Sequence, residues 1–180
     1  LDVDLQAEAH GIRFAQLAEN LKLEDVPATF EADGSLEVSG TLKPIDLKGN
    51  VDVTFAGVSV KKKGGTRGLV VPDDPIRVST WFAVDEEELL YSGGRIASGK
   101  TVIRSSGQVG FDGTLYVNVS SEMLDSRELV KIPGTDLVAV GDLRASVKGR
   151  FESPTVKASV DLVRLDVDEM KLGKVEADLV

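Results

Sequence analysis

The chain has 180 residues, 42% of them apolar and 28% charged, with a formal net charge of −9. That length supports one sizeable domain or two small ones, and the composition argues against wholesale disorder. The acidity argues against a nucleic-acid footprint, which needs a basic face. The absence of cysteine excludes disulfides, thiolate metal sites and cysteine nucleophiles.

Period two dominates from the first residue. Leu1, Val3, Leu5, Ala7 and Ala9 alternate with Asp2, Asp4, Gln6 and Glu8. The pattern returns at Leu36, Val38 and Leu42, at Val51, Val53 and Phe55, and from Ile76 to Val84. It returns again at Leu115, Val117 and Val119, at Leu143, Ala145 and Val147, at Val156 to Leu162, and at Val175, Ala177 and Leu179. Side chains of a strand point to opposite faces in turn, so each run predicts a half-buried strand. ADGS at 32–35, KGN at 48–50 and FDGT at 111–114 read as the punctuation between them. Many short strands with such turns predict an all-β, antiparallel architecture.

Helix signals are few. Phe14 to Leu21 has apolar residues at rough helical spacing. Glu122 to Val130 is the better candidate, with Ser121 as its N-cap. KKKGGTRG at 61–68 and VPDDP at 71–75 predict a loop excursion at about 61–75 inside a single unit spanning 1–180. Both ends fall inside alternating runs, so the expectation is a segment excised from a longer chain. No apolar run approaches the roughly 20 residues of a membrane helix.

The chemistry-bearing residues form no catalytic constellation. His10 is the only histidine, which rules out a multi-histidine metal site, and a surface position is expected for it. DEEE at 85–88 and Asp73–Asp74 lack the spacing of a calcium loop and read as solvated turns. KKKGGTRG lacks the ending of a phosphate loop; a mobile, charged loop is expected, with anionic headgroups the other reading of its lysines. The NVS tripeptide at 118–120 sits in a strand run and carries no weight. An enzyme with paired acids on a concave surface would need a carboxylate pair that nothing here singles out. The extended apolar face is therefore the feature with functional content. Either it is the filled inside of a sandwich, or it leaves an open trough.

Two stretches carry a similarity to each other. Sliding the chain so that Gly40 falls on Gly149 brings Lys48 onto Lys157, Val51 onto Val160 and Asp52 onto Asp161. The two stretches, GTLKPIDLKGNVDV and GRFESPTVKASVDL, are supported by YSGGRIASGKTVIRSSGQVGFDGTLYVNV and by the closing LGKVEADLV. In this order of glycine, apolar residue, proline and alternating strand, the chain resembles the TamB-like branch of the AsmA-like proteins of bacterial envelopes.

The resemblance implies a long, curved, mainly antiparallel sheet folded lengthwise into an apolar groove, with one or two short helices. It implies a periplasmic segment of a protein anchored at the inner membrane. Such a segment is expected to conduct phospholipid between the inner and outer membranes without catalysing a reaction and without a cofactor. Its expected partners are phospholipid acyl chains, neighbouring repeats of the full-length chain and an outer-membrane β-barrel protein. The alternative expectation is a scaffold that assists assembly of outer-membrane barrels by pairing with strand edges. The residues expected to line the groove are Val38, Leu42, Val51, Val53, Phe55, Leu115, Val117, Val119, Val147, Val156, Val160 and Leu162.

Overall fold

The computed structural model describes residues 1–20, 28–61, 67–70, 74–129, 131 and 134–179. Among the described residues the protein is all-β: a single antiparallel sheet, open and curled, with two short helices. In chain order the elements are β1 (Asp2–Arg13), α1 (Phe14–Asn20), β2 (Ala28–Leu42), β3 (Ile45–Lys61), β4 (Arg67–Val70), β5 (Ile76–Asp85) and β6 (Glu88–Ser98). They continue as β7 (Thr101–Gly110), β8 (Thr114–Asp125), α2 (Ser126–Leu129), β9 (Leu137–Arg150), β10 (Ser153–Val167) and β11 (Met170–Leu179). The spatial order is β1-β2-β3-β5-β6-β7-β8-β9-β10-β11, so each strand lies beside its neighbours in sequence. Only β4 leaves this path, pairing with the end of β3 beyond the last residue that pairs with β5.

Part of the predicted excursion is therefore strand. Residues 62–66 and 71–73, which hold most of its lysines and its first proline, lie outside the described residues.

The predicted turns need correction. FDGT is a turn: the Asp112 carboxylate accepts hydrogen bonds from the Thr114 N–H at 2.9 Å and hydroxyl at 2.7 Å. DEEE is the turn from β5 to β6, where Asp85 accepts from the N–H groups of Glu87 and Glu88, each at 2.8 Å. ADGS and KGN, however, lie inside β2 and β3. Their glycines are required by close approach across the sheet. A Cβ on Gly49 would stand 2.1 Å from the Glu37 carbonyl oxygen and 2.7 Å from the Phe82 ring. The real corner is Lys43–Pro44, between the paired Leu42 and Ile45. GTLKPIDLKGNVDV is thus a hairpin, and so is its counterpart, whose corner Phe151–Glu152 lies between Arg150 and Ser153. Both corners sit at the same end of the sheet.

The α1 prediction agrees with the structure. Phe14 of α1 stacks on Phe30, whose ring meets Phe55 edge to face, with ring centres 4.5 and 5.3 Å apart. The second helix is much shorter than expected. Glu122–Asp125 continues β8, and Ser121 is a buried strand residue rather than a cap. Pairing of Leu124 and Asp125 with Gly141 and Val140 outweighs the local helical preference. Asp125 is the actual cap: its carboxylate accepts from the Arg127 N–H at 3.0 Å and from the Arg127 guanidinium at 2.9 and 2.5 Å.

Helix α2 works as a latch on the turn from β6 to β7. The Glu128 carboxylate accepts from the N–H groups of Lys100 and Thr101, at 3.0 and 2.7 Å. The fully buried Thr101 hydroxyl accepts from the Asp125 N–H at 2.9 Å. The Thr101 side chain and these N–H donors hold the Glu128 carboxyl below the usual carboxylate range. A lowered folded-state pKa favours folding while the group is ionised. The latch is therefore fully effective at neutral pH and loses its contribution as the pH falls through the folded-state value. Thermal melts of the parent chain and Glu128→Gln should differ most at pH 7 and converge on acidification. A constant difference across that range would contradict the latch.

Candidate functional site

The site follows from register. Directly paired residues of an antiparallel sheet share a face. Following one line of pairs across the sheet gives Leu5, Val38, Gly49, Phe82, Tyr91, Gly107, Val117, Val147 and Val156. The line crosses nine strands without a charged residue. The next lines repeat this, with Gly40, Leu47, Val84, Leu89, Val109 and Leu115 in register on one side. All twelve residues predicted from alternation fall on this one face. Val51 and Val53 lie two and four residues beyond Gly49 on β3, with Phe55 next, while Leu42 closes the β2 end. Leu115 and Val119 flank Val117, and Val160 and Leu162 follow Val156.

The face is uneven. Leu162 is 7% exposed and packs into the chain itself, whereas Leu42 and Val156 are 40% and 47% exposed. Most of the others are half-buried by their own neighbours. Only Val138 and Leu162 are fully buried apolar residues among the described residues. The molecule exposes 12164 Å². A compact protein of its 19.2 kDa would expose about 8,400 Å² by the size scaling of folded monomers. The excess is what an open sheet without a closed core produces.

Phe82, Leu89, Tyr91 and Val109 were missed by the residue-level reading. The period-two signal at Phe82 was visible, but the place of Tyr91 depends on a bulge. Gly93, at φ +62°, inserts one extra residue between the pairs Ser79–Arg95 and Trp81–Ser92. That insertion returns Tyr91 and Ile96, five residues apart, to the same face. Phe82 and Tyr91 then lie over glycines on their outer neighbours: the Tyr91 ring stands 2.8 Å from where a Gly107 Cβ would be, as Phe82 does for Gly49. Hydroxyls interrupt the face at Thr80 and Ser121, and at a spot where the Tyr91 hydroxyl meets the Ser105 hydroxyl at 3.0 Å and Ser105 donates to the Asn118 carbonyl at 3.1 Å.

The opposite face is polar. It carries Asp4, Gln6, Glu37 and Asn50 at one end and Arg144, Ser146 and Lys157 at the other. Arg77 of β5 forms a two-pronged contact with Asp52 at 2.9 and 2.5 Å, which holds the Asp52 carboxyl below its usual range. His10 is exposed, 3.8 Å from Glu8 and 3.9 Å from Asp33. Among the described residues no group of three or more acidic or histidine side chains is placed to hold a metal ion. No described helix is long and apolar enough to cross a membrane.

The fold and its faces define an open antiparallel β-sheet protein, apolar on one side and polar on the other. No protein-family model, curated protein or solved structure matches the chain.

Proposed function

We propose that this chain is a non-enzymatic lipid-conducting segment of a periplasm-spanning, inner-membrane-anchored protein, carrying phospholipid between inner and outer membranes. The observation that supports this reading is the uncharged line of residues that crosses nine strands, half-buried along its middle and exposed at Leu5 and Val156. A 16-carbon tail costs on the order of 13 kcal/mol to expose to water, at ~0.8 kcal/mol per methylene. Covering 100 Å² of the apolar face with hydrocarbon returns about 2.5 kcal/mol at ~25 cal/mol per Å². Aliphatic side chains offer few directional contacts, so a tail slides along them without being trapped. Phospholipid acyl chains are the ligand of this reading, and neighbouring repeats of a longer chain would extend the path.

Lipid extraction and native mass spectrometry of the purified protein test it directly. Bound phospholipid, or saturable uptake of a fluorescent fatty acid by delipidated protein, is the expected result. Delipidated protein that stays folded and takes up none would remove the proposal.

A second reading has an observation of its own. Strands β1 and β11 end the sheet, each with one edge that pairs with no other strand among the described residues. Such edges template further strands, which suits a scaffold that pairs with an outer-membrane barrel protein during assembly. Proline substitutions along β1 would impair that activity and leave fatty-acid uptake intact.

A further inference from the structure

The polar face carries a feature that the lipid reading does not use. Arg95 of β6 and Arg104 of β7 stand directly opposite one another, followed in the same line by Ser120 and Arg144. Like charges at directly paired positions repel. The chain has 30 acidic residues with which to neutralise them. Yet among the described residues Arg104 has only a long contact to Glu122, at 4.0 Å, and Arg95 has no carboxylate within ion-pair distance.

The space in front of the pair is also open. The bulge places Gly93, which has no side chain, near Arg95, and nothing lies within 4 Å of where a Gly93 Cβ would be. The result is a depression of about 440 Å³, with the hydroxyls of Ser106 and Ser120 and the amide of Asn118 on its wall. A second depression shares Asn118 and Ser120 and continues past Arg144 and Lys157, reaching an acid only at Asp178.

We propose that Arg95 and Arg104 form a binding site for a phosphate group, mono- or diester, whose polar remainder lies along the serine-lined trough. Guanidinium forks match phosphate oxygens in pairs. An anion between the two arginines relieves their mutual repulsion, and the hydroxyls and amide supply neutral donors beside it. The proposal does not depend on the lipid reading, because this trough lies on the other face from Val117. The phosphate belongs either to a lipid headgroup or to a soluble ester.

Amide ¹H–¹⁵N spectra of the whole chain, titrated with inorganic phosphate at low ionic strength, test the site. Saturable shifts confined to residues 93–95, 104–106 and 118–120 are expected. The double variant Arg95→Gln/Arg104→Gln should weaken binding at least about tenfold, the loss expected when charge-assisted contacts go. It should melt no lower than the parent, since a repulsion has been removed. Flotation with phosphatidylcholine vesicles, with and without phosphatidic acid, separates the two sources. Capture that needs phosphatidic acid and both arginines assigns a headgroup. Phosphate shifts without capture assign a soluble ester. Absence of both, or shifts that survive in the double variant, would overturn the site.

Discussion

A Val117→Glu chain is expected to keep its thermal stability to within about 1 kcal/mol and to lose fatty-acid uptake by more than about tenfold. Val117 lies between Gly107 and Val147 on the line of pairs, and its side chain is half-buried rather than enclosed. A glutamate there keeps its water when the protein is empty, and folding is little affected. A tail passing over it must strip that water, at an effective cost of several kcal/mol, and each 1.4 kcal/mol is a factor of ten. Val53→Glu and Val160→Glu, on the same face nearer its ends, should act in the same direction. The sandwich reading predicts the reverse for Val117→Glu: an unpaired charge in a closed core would destabilise the chain by several kcal/mol. Circular-dichroism melts beside a binding titration distinguish the two. A variant that folds and binds as the parent does would show that the face is no lipid path.

The largest effect on stability is expected from Gly49→Val, a loss of about 3 kcal/mol, the upper part of the range for overpacking. That corresponds to a fall of about 6–12 °C in melting temperature for a chain of this size. Gly49 has the Glu37 carbonyl on one neighbour and the Phe82 ring on the other, both inside contact distance of any Cβ. A side chain there must push back a ring and pry apart β2 and β3. Trimming the ring with Phe82→Leu should recover only part of the loss, because the carbonyl belongs to the backbone. If Gly49→Val melted at the parent temperature, the pairing of Val38 with Gly49 and of Gly49 with Phe82 would be wrong.

Much of this was legible in the residues. Alternation is a local property, since successive side chains of a strand point to opposite faces whatever lies next door. The runs at Leu1–Ala9, Leu115–Val119 and Val156–Leu162 therefore announced strands, and the polar–apolar contrast announced a two-faced sheet. The turn at FDGT was legible for the same reason, because Asp112 bonds within its own turn. Gly34 and Gly49 misled because a glycine needed for a close approach looks the same in one dimension as a glycine needed for a turn. Glu122–Val130 misled because its helical spacing competed with a strand partner distant in the chain, Gly141 and its neighbours.

What the residues alone determined is an antiparallel all-β chain with apolar side chains at alternate positions. Only the tertiary structure decided that twelve such residues from separate strands share one face, and that Leu162 packs inward while Val156 stays open. It also placed Arg95 against Arg104. The physical reason is register: a slip of one residue turns a whole strand over. The pairing of strands and the bulge at Gly93 set that register through contacts between residues far apart in the chain.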